Sequence, residues 1–206
     1  MFQAAAKRVI DVVVSLVALI AFAPIIAIVA LLIRVRLGRP ILFRQHRPGR
    51  KGVLFELWKF RTMSEGNGTD DERLTPLGLR LRSLSLDELP QLWNILRGDM
   101  SLVGPRPLLP EYLGLFSARQ GRRHEVRPGL TGLSQISGRN QLGWEERLEL
   151  DVRYVENRTI RGDFSILIDT FLAVLRREGI AGDGHVTMER FKGSDACPPS
   201  AETPSA

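Results

Sequence analysis

Two adjacent carboxylates, Asp87 and Glu88, are the residues of this sequence whose types and spacing best suit chemistry on a phosphate. They open an apolar-periodic run that ends at Gly98, and Ser85 precedes Glu88 with the spacing of a capping box at a helix start. The first turn of a helix presents unpaired N–H groups and the positive end of the helix dipole, which favour carboxylates and incoming phosphates alike. The two acids therefore either cap a helix or perform chemistry at its N-terminal end, and their spacing alone does not decide between these roles.

A carboxylate in such a position could act on a phosphate in two ways. As a nucleophile it attacks phosphorus and forms an acyl phosphate, which divides one difficult transfer into two easier steps. As a ligand it helps to hold Mg²⁺, which usually binds through one or two carboxylates together with substrate phosphates. The pair of Asp87 and Glu88 thus predicts nucleophilic or metal-assisted chemistry on a phosphorylated substrate.

Two arginines near this pair are candidates for binding the phosphate. Arg106 stands between Pro105 and Pro107, whose fixed φ angles make the segment rigid and suit the guanidinium to bidentate contact with a phosphate. Arg82 shortly precedes Asp87 and could reach the same site. A turn arginine that points to solvent is the alternative for Arg106.

The elements that must position these residues are predicted to be mainly helical, with one β-hairpin. Two β-prone runs, 41–44 and 53–60, flank a turn rich in Pro and Gly, which is typical of a hairpin. Thr75 followed by Pro76 is typical of a helix start. The leucines and arginines that follow suit either a membrane surface or a protein core. Further helices are predicted over 110–120, over 144–158 and, capped by Asp163, over 164–177.

The N-terminal segment from Val9 to Ile33 is apolar apart from Asp11 and Ser15. As a helix that rises roughly 1.5 Å per residue, it is long enough to cross a hydrocarbon core of about 30 Å. Pro24 removes a backbone donor inside this run, so a kink is expected there. Basic residues flank both ends, which the positive-inside tendency satisfies best if both ends are cytoplasmic. A re-entrant helix that breaks at Pro24 and returns to the same face meets both conditions, and is favoured over a spanning helix or a cleaved signal peptide.

Length and charge narrow the function classes. The chain has 206 residues and a formal net charge of +6, which fits one core and a polyanionic partner such as nucleic acid, anionic lipid or a phosphorylated substrate. No recognised nucleic-acid-binding module appears, so a membrane-tethered protein that binds nucleic acid is the less favoured alternative. The single cysteine, Cys197, lies in a tail rich in Ser, Pro and Ala, and no clustered His and Cys set predicts a structural zinc site.

Several motifs in one order resemble those of the bacterial sugar transferases, in particular the small monotopic polyprenol-phosphate phosphoglycosyl transferases. The likeness extends from about Lys7 to Gly193. Its motifs are Lys-Phe-Arg-Thr-Met at 59–63, Ser-Leu-Asp-Glu-Leu-Pro-Gln at 85–91, Gly-Asp-Met-Ser-Leu-Val-Gly-Pro-Arg-Pro at 98–107, Arg-Pro-Gly-Leu-Thr-Gly at 127–132 and Gly-Arg at 138–139. The segment Gly-His-Val-Thr at 184–187 also resembles the bacillosamine-phosphate transferase of bacterial N-glycosylation.

This resemblance implies an enzyme that moves a sugar 1-phosphate from a UDP-sugar to undecaprenyl phosphate and releases UMP, the first membrane step of glycoconjugate or polysaccharide assembly. It implies that Asp87 attacks the β-phosphate and carries a covalent phosphosugar intermediate. Glu88 would hold Mg²⁺ together with Asp87 or assist proton movement, and the sequence does not choose between these roles. By analogy the donor is expected to be an acetamido sugar, with UDP-galactose or UDP-glucose as the alternative. The oligomeric state stays open.

The resemblance also bears on the residues that would bind the substrate phosphate or the nucleotide. The full set of candidates, which includes the two arginines above, is Lys59, Arg61, Arg82, Arg106, Gln135, Arg139, Asp151 and Tyr154. Ordinary strand alternation is the alternative explanation for Lys59. Gln135 and Arg139 come from a Gly-rich stretch that permits close backbone approach to a ligand. Asp151 and Tyr154 share a helix face, where a structural hydrogen-bond pair is the alternative to contacts with the uridine or the sugar.

Together these patterns predict an α+β fold that is mainly helical. Residues 1–38 would form the re-entrant membrane hairpin and residues 39–192 a catalytic domain of a β-hairpin and amphipathic helices. That domain would sit at the cytoplasmic face of the bacterial inner membrane, while residues 193–206 would form a disordered tail. The expected partners are the UDP-sugar, undecaprenyl phosphate and membrane lipids, without nucleic acid.

Overall fold

The computed structural model describes residues 2–138, 142–176 and 190–193. Within these ranges the chain is mainly helical, as the sequence predicts, and carries two small two-stranded sheets. The sequence predicts only one of them, the antiparallel hairpin. The α-helices are α1 (Phe2–Arg36), α2 (Asp70–Arg73), α3 (Pro76–Ser83), α4 (Gln91–Arg97), α5 (Ala118–Gly121), α6 (Leu133–Ile136), α7 (Trp144–Asn157) and α8 (Ile160–Leu175). The strands are β1 (Leu42–Pro48), β2 (Leu54–Phe60), β3 (Ser101–Val103) and β4 (Gly129–Thr131). Short 3₁₀ helices span Arg50–Gly52, Leu86–Glu88, Pro110–Leu115 and Arg122–Glu125.

Helix α1 contacts the rest of the chain on both sides of an exposed middle. Asp11 and Ser15 are buried near its start, and Val29 and Ile33 are buried near its end. Between these contacts, every residue from 20 to 25 is exposed. The helix is continuous across Pro24, so the interruption predicted at this proline is not seen as a gap in the helix. The re-entrant seating therefore stays a prediction.

Strands β1 and β2 form the predicted antiparallel hairpin. Its register pairs Leu42 with Phe60 at the open end and Pro48 with Leu54 at the turn. The turn contains Lys51 in the left-handed conformation, with φ 59°. Phe55 and Leu57 of β2 are buried, and strand alternation places Lys59 on the same face as these two residues, where it is half-buried.

Strands β3 and β4 run parallel and pair Ser101 with Gly129 and Val103 with Thr131. A side chain at Gly129 would collide with the backbone of Gly104. The sequence predicts that the Gly-rich stretch 130–139 permits close backbone approach to a ligand. At Gly132 in that stretch a side chain would also collide with the backbone of Gly104, so the close approach there is between two segments of the chain itself. This pairing fixes the start of the Pro105–Pro107 segment.

Two hydrophobic cores meet at the segment that carries the paired acids. One contains residues of β2, α4, β3, α7 and α8, and the other joins the end of α1 to β2 and α3. Leu86 packs against the second core and Leu89 against both. Since these leucines flank Asp87 and Glu88, the apolar packing fixes the backbone of both acids.

Four helix starts and ends test the capping predictions. Thr75 caps α3 by accepting a hydrogen bond from the Gly78 N–H, and Gly98 ends α4 in the left-handed conformation with φ 94°, as predicted. The capping box at Ser85 is wrong, because Ser85 is itself left-handed (φ 54°) and makes no cap hydrogen bond. Asp163 as the cap of the last helix is also wrong, because α8 begins earlier, at Ile160, behind the cap residue Thr159.

The predicted helix over 110–120 divides into two short pieces. Pro110–Leu115 is a 3₁₀ helix, and α5 begins only at Ala118 behind the capping residue Ser117. The charged helix predicted over 144–158 is confirmed as α7.

Candidate active site

Asp87 and Glu88 lie in the 3₁₀ turn Leu86–Glu88, before α4 rather than inside its first turn. Ser85, just after α3, adopts a left-handed conformation, so the chain turns away from the direction of that helix. Pro90 occupies the position just before α4. Asp87 is 7% exposed. The turn therefore holds the Asp87 carboxyl group against the protein and directs the Glu88 side chain away from it.

Glu88 joins three separate segments of the chain. Its Oε1 lies 2.7 Å from Lys59 Nζ on β2 and 2.8 Å from Arg106 Nη2 in the loop after β3. Burial alone would raise the pKa of Glu88, but Arg106 and Lys59 outweigh it and hold the pKa well below its usual range. Three residues predicted from the sequence thus meet in one ion-pair cluster.

Asp87 has a different environment. No described residue donates a hydrogen bond to its carboxylate, and burial together with the charge of Glu88 raises its pKa. Lys59, Arg82 and Arg106 act in the opposite direction. A desolvated carboxylate without donors keeps its lone pairs available, and nearby cations favour an incoming anion.

Arg82 and Arg61 differ in what their guanidinium groups contact. Arg82 donates through Nε to Thr62 Oγ1 at 3.1 Å and lies close enough to Asp87 to influence its pKa. Arg61 donates to the backbone oxygens of Leu37 and Arg39, in the segment between α1 and β1. The structure therefore brings Arg82 to the paired acids, whereas Arg61 stabilises the connection from α1.

Arg123 supports the loop that carries Arg106, and no sequence motif points to this residue. Its Nη2 lies 2.7 Å from Asp151 Oδ2 and donates to the backbone oxygen of Arg106 at 2.6 Å. Asp151 also accepts a hydrogen bond from Ser134. Both members of this ion pair are almost fully buried. Asp151 thus has a structural role in holding the loop that carries Arg106.

The remaining predicted residues lie apart from the paired acids or outside the described residues. Tyr154 is buried and its hydroxyl bonds to Val103 O and Asp163 Oδ1, so it serves the fold. Gln135 donates to Leu130 O, while its buried Oε1 has no hydrogen-bond partner among the residues that the structure describes. Arg139 lies outside the described residues. The same holds for the segment 184–187 and the tail from residue 194.

The described residues contain no group of three or more His, Cys, Asp or Glu side chains that could hold a metal ion by themselves. The Asp87 carboxylate is nevertheless suited to a divalent cation, because it is buried and accepts no hydrogen bond from the described residues. At Glu88 both ion pairs end on Oε1, so neither occupies Oε2. Two carboxylates of this kind fit Mg²⁺ only if substrate oxygens complete its coordination.

Comparison with known proteins agrees with this arrangement. The sequence profile of the family described as bacterial sugar transferase matches residues 2–177. This chain belongs to the bacterial sugar transferase family.

Three relatives of this bacterial sugar transferase illustrate the match. An uncharacterized sugar transferase of Bacillus subtilis, EpsL, is 50% identical over 194 residues, which cover 91% of this chain and 96% of the relative. The UDP-glucose:undecaprenyl-phosphate glucose-1-phosphate transferase of Caulobacter vibrioides is 41% identical over 82% of this chain and 69% of the relative. The undecaprenyl-phosphate galactose phosphotransferase of Salmonella typhimurium is 37% identical over 84% of this chain but only 41% of its own length. The latter two relatives are named as sugar-phosphate transferases that act on undecaprenyl phosphate.

Proposed function

We propose that this bacterial sugar transferase moves a sugar 1-phosphate from a UDP-sugar to undecaprenyl phosphate through a covalent intermediate on Asp87, and releases UMP. The observation that carries the proposal is the contrast between the two acids. Asp87 accepts no hydrogen bond from the described residues, whereas Glu88 is held by two cations. The activities for which the relatives from Caulobacter vibrioides and Salmonella typhimurium are named support the same donor and acceptor classes.

In the first step an Asp87 oxygen attacks the β-phosphorus of the donor. The bond between that phosphorus and the oxygen that bridges to the α-phosphate breaks, and UMP leaves with the bonding electron pair. Lys59, Arg82 and Arg106 surround the carboxylate with positive charge, which offsets the repulsion between the anionic nucleophile and the anionic phosphate. The product of this step is a phosphosugar joined to Asp87 as an acyl phosphate.

In the second step a phosphate oxygen of undecaprenyl phosphate attacks the same phosphorus. The bond from phosphorus to the Asp87 oxygen breaks and restores the carboxylate, so the two steps require no net proton transfer. Glu88 holds Lys59 and Arg106 in place throughout, because both ion pairs end on its Oε1. We assign Glu88 this positioning role.

Mg²⁺ is the proposed cofactor. Asp87 and Glu88 would hold it with the substrate phosphates, and it would supply additional neutralisation of phosphate charge. Glu88→Gln should then weaken the dependence of activity on Mg²⁺ concentration, whereas Asp87→Asn, which releases no UMP, should weaken the binding of Mg²⁺ in the presence of the UDP-sugar. A variant that keeps the wild-type response to Mg²⁺ in its assay would remove that acid from the set of ligands.

We also propose that α1 enters the membrane and returns to the same face. The helix is long and apolar enough to cross a membrane by length and composition. Asp11 near its start accepts a hydrogen bond from Leu102 N, and Ile33 near its end is fully buried against the core formed with β2 and α3. A straight crossing would place these contacts on opposite sides of a hydrocarbon layer of about 30 Å. A same-face arrangement, with the exposed residues 20–25 deepest in the lipid, satisfies both contacts.

Two classes of donor sugar are compatible with the proposal. Relatives named for galactose and glucose support a UDP-hexose. The resemblance of residues 184–187 to an acetamido-sugar enzyme supports a UDP-acetamido sugar. A panel of both donor classes, assayed at equal concentration, decides between them by the rate of UMP release.

The function is tested by product analysis and by trapping the intermediate. Detergent-solubilised chain, incubated with a UDP-sugar, Mg²⁺ and undecaprenyl phosphate, should release UMP, whereas release of UDP would indicate glycosyl transfer instead. Without the acceptor, the peptide that contains Asp87 should gain the mass of the phosphosugar. Asp99→Asn is the matched control, since Asp99 lies in the same region but pairs with Arg97 at 3.5 Å. A donor-competent enzyme with no adduct on the Asp87 peptide would refute the covalent mechanism.

A further inference from the structure

We infer that Gln91 is a further catalytic residue, whose side-chain amide donates a hydrogen bond to the phosphoryl group that Asp87 takes from the donor. This inference rests on the proposed function, because it requires that phosphoryl group to reach Asp87. The contact differs in kind from those of the nearby cations, since the amide of Gln91 is neutral.

Gln91 lies within about one turn of the two acids on a helical backbone. The 3₁₀ helix Leu86–Glu88 leads through Leu89 and Pro90, whose φ and ψ are both right-handed helical, into α4, which begins at Gln91. Gln91 therefore follows one acid by three positions and the other by four, and residues at these spacings are neighbours on a helical surface. Side chains on a helix tilt toward its N-terminal end. The Gln91 side chain thus extends over the turn that carries the acids.

The side chain of Gln91 is buried, yet its donor is unused. Gln91 is 3% exposed, and its buried Nε2 has no hydrogen-bond partner among the residues that the structure describes. The neighbouring Asp87 carboxylate accepts no hydrogen bond from these residues either. Buried polar groups are nearly always paired, because an unpaired group loses its hydrogen bonds to water without replacement. An acceptor oxygen that enters beside Asp87 would supply the missing partner.

Asn94 shows how a structural amide behaves in the next turn of the same helix. Asn94 is fully buried. Its Oδ1 accepts a hydrogen bond from Trp58 N at 3.1 Å, and its Nδ2 donates to Glu56 O at 2.7 Å. These two bonds anchor α4 to β2. Gln91 lies between this anchor and the acids, and its Nε2 is unbonded within the described part of the chain, so the fold leaves this donor to a ligand.

The phosphoryl group is the ligand that fits this donor in both steps. Its non-bridging oxygens carry negative charge in the donor and in the adduct, and they stay beside Asp87 while the groups on either side of the phosphorus exchange. Lys59 and Arg106 are already paired with Glu88, whereas the Gln91 N–H has no competing acceptor among the described residues. A fixed N–H at that place stabilises charge without any proton transfer. The amide therefore forms and breaks hydrogen bonds only.

The test replaces Gln91 by Met, which has nearly the same length but no N–H. Adduct formation without acceptor, and transfer from the isolated adduct to undecaprenyl phosphate, should both slow by about a hundredfold in Gln91→Met, as after loss of one donor to a reacting oxyanion. The melting temperature in the same detergent should equal or exceed that of wild type, because the variant removes an unpaired buried donor. Asn94→Leu is the matched control, since it removes a buried amide that is bonded to β2, and it should lower the melting temperature.

Stability and the two separate rates distinguish a catalytic amide from a structural one. An equal fall in melting temperature in Gln91→Met and Asn94→Leu would mean that both amides are structural and would overturn the inference. Slowing of adduct formation alone would assign the contact to the nucleotide or the sugar, and slowing of the second step alone would assign it to the acceptor. Either result would overturn the contact with the phosphoryl group. If wild-type enzyme forms no adduct, the proposed function fails, and if only Gln91→Met forms and transfers it at wild-type rates, this inference alone fails.

Discussion

Lys59 Nζ lies 2.7 Å from Glu88 Oε1, which joins the end of the β-hairpin to the 3₁₀ turn of the paired acids. Arg106 contacts the same oxygen from a third segment. Because the shared carboxylate belongs to Glu88, both cations lie beside Asp87 without a hydrogen bond to it. Glu88 therefore positions the two cations, whereas the Asp87 carboxylate remains available to attack phosphorus.

The first prediction concerns the stability of Asp87→Asn. The pKa of Asp87 is raised in the folded protein, whereas an Asp in the unfolded chain has a pKa of about 3.9. The unfolded state therefore loses its proton first as pH rises, and stability falls between the two pKa values. At neutral pH the Asn variant should unfold at the same or a higher temperature than wild type, while its UMP release is abolished. A variant that loses activity together with several degrees of melting temperature would contradict this reading.

The second prediction concerns the pH dependence of the first step. Only the ionised Asp87 attacks phosphorus, and burial followed by the charge of Glu88 raises its pKa. The rate of adduct formation should therefore decline with falling pH at values above about 3.9, the usual pKa of an Asp. Single-turnover measurements across an acidic pH series check this. A rate that stays constant down to that value would show that substrate binding removes the shift.

Glu88→Gln provides the third prediction. In the wild-type protein the negative charge of Glu88 raises the pKa of Asp87, while Lys59 and Arg106 lower that pKa. The amide removes the negative charge of Glu88 and frees Lys59 and Arg106 to act on Asp87. Each of these two changes lowers the pKa of Asp87. The acid limb of the rate profile should move to lower pH, even though the maximal rate falls because Lys59 and Arg106 lose their anchor. Movement of that limb to higher pH would refute the proposed charge relationship.

The sequence predicts the local parts of this site, and the reasons are local. Thr75 with Pro76 and the terminal Gly98 are signals within one turn of a helix, and the structure confirms both. Ser85 has the right neighbours for a capping box, but it adopts a left-handed conformation between two packed segments. Its conformation depends on how Leu86 and Leu89 meet two cores, which no short pattern encodes.

The contacts that unite the site are long-range, so sequence patterns identify candidate residues without identifying their partners. Lys59 and Glu88 are 29 positions apart, and Arg123 and Asp151 are 28 apart. Each residue type suggests a role, but the pairing depends on the hairpin register and on the position of α7. The sequence therefore indicates Asp151 as a possible substrate contact but contains no signal for its partner Arg123.

The fourth prediction uses the buried pair of Arg123 and Asp151, with side-chain exposures of 1% and 2%. Asp151→Asn leaves the buried Arg123 without its counter-charge, which typically costs about 3 to 5 kcal/mol of stability. It should also loosen the hydrogen bond that Arg123 donates to Arg106 O. Denaturant unfolding should therefore show a lower midpoint. Glu149→Gln serves as an exposed control on the same helix, and a similar loss in both variants would argue against a special role for the buried pair.

The fifth prediction concerns the seating of α1. Asp11 and Ile33 both contact the folded chain, on either side of the exposed residues 20–25. Single cysteines placed at Gln3 and Arg39, in a Cys197→Ser background, should therefore react with a membrane-impermeant maleimide from the same side. Inside-out vesicles should label both positions and right-side-out vesicles neither, because a helix that returns places both ends at the cytoplasmic face. Labelling of the two positions from opposite sides would mean that α1 crosses the bilayer, and the contacts of Asp11 and Ile33 could then not both exist in the membrane-bound protein.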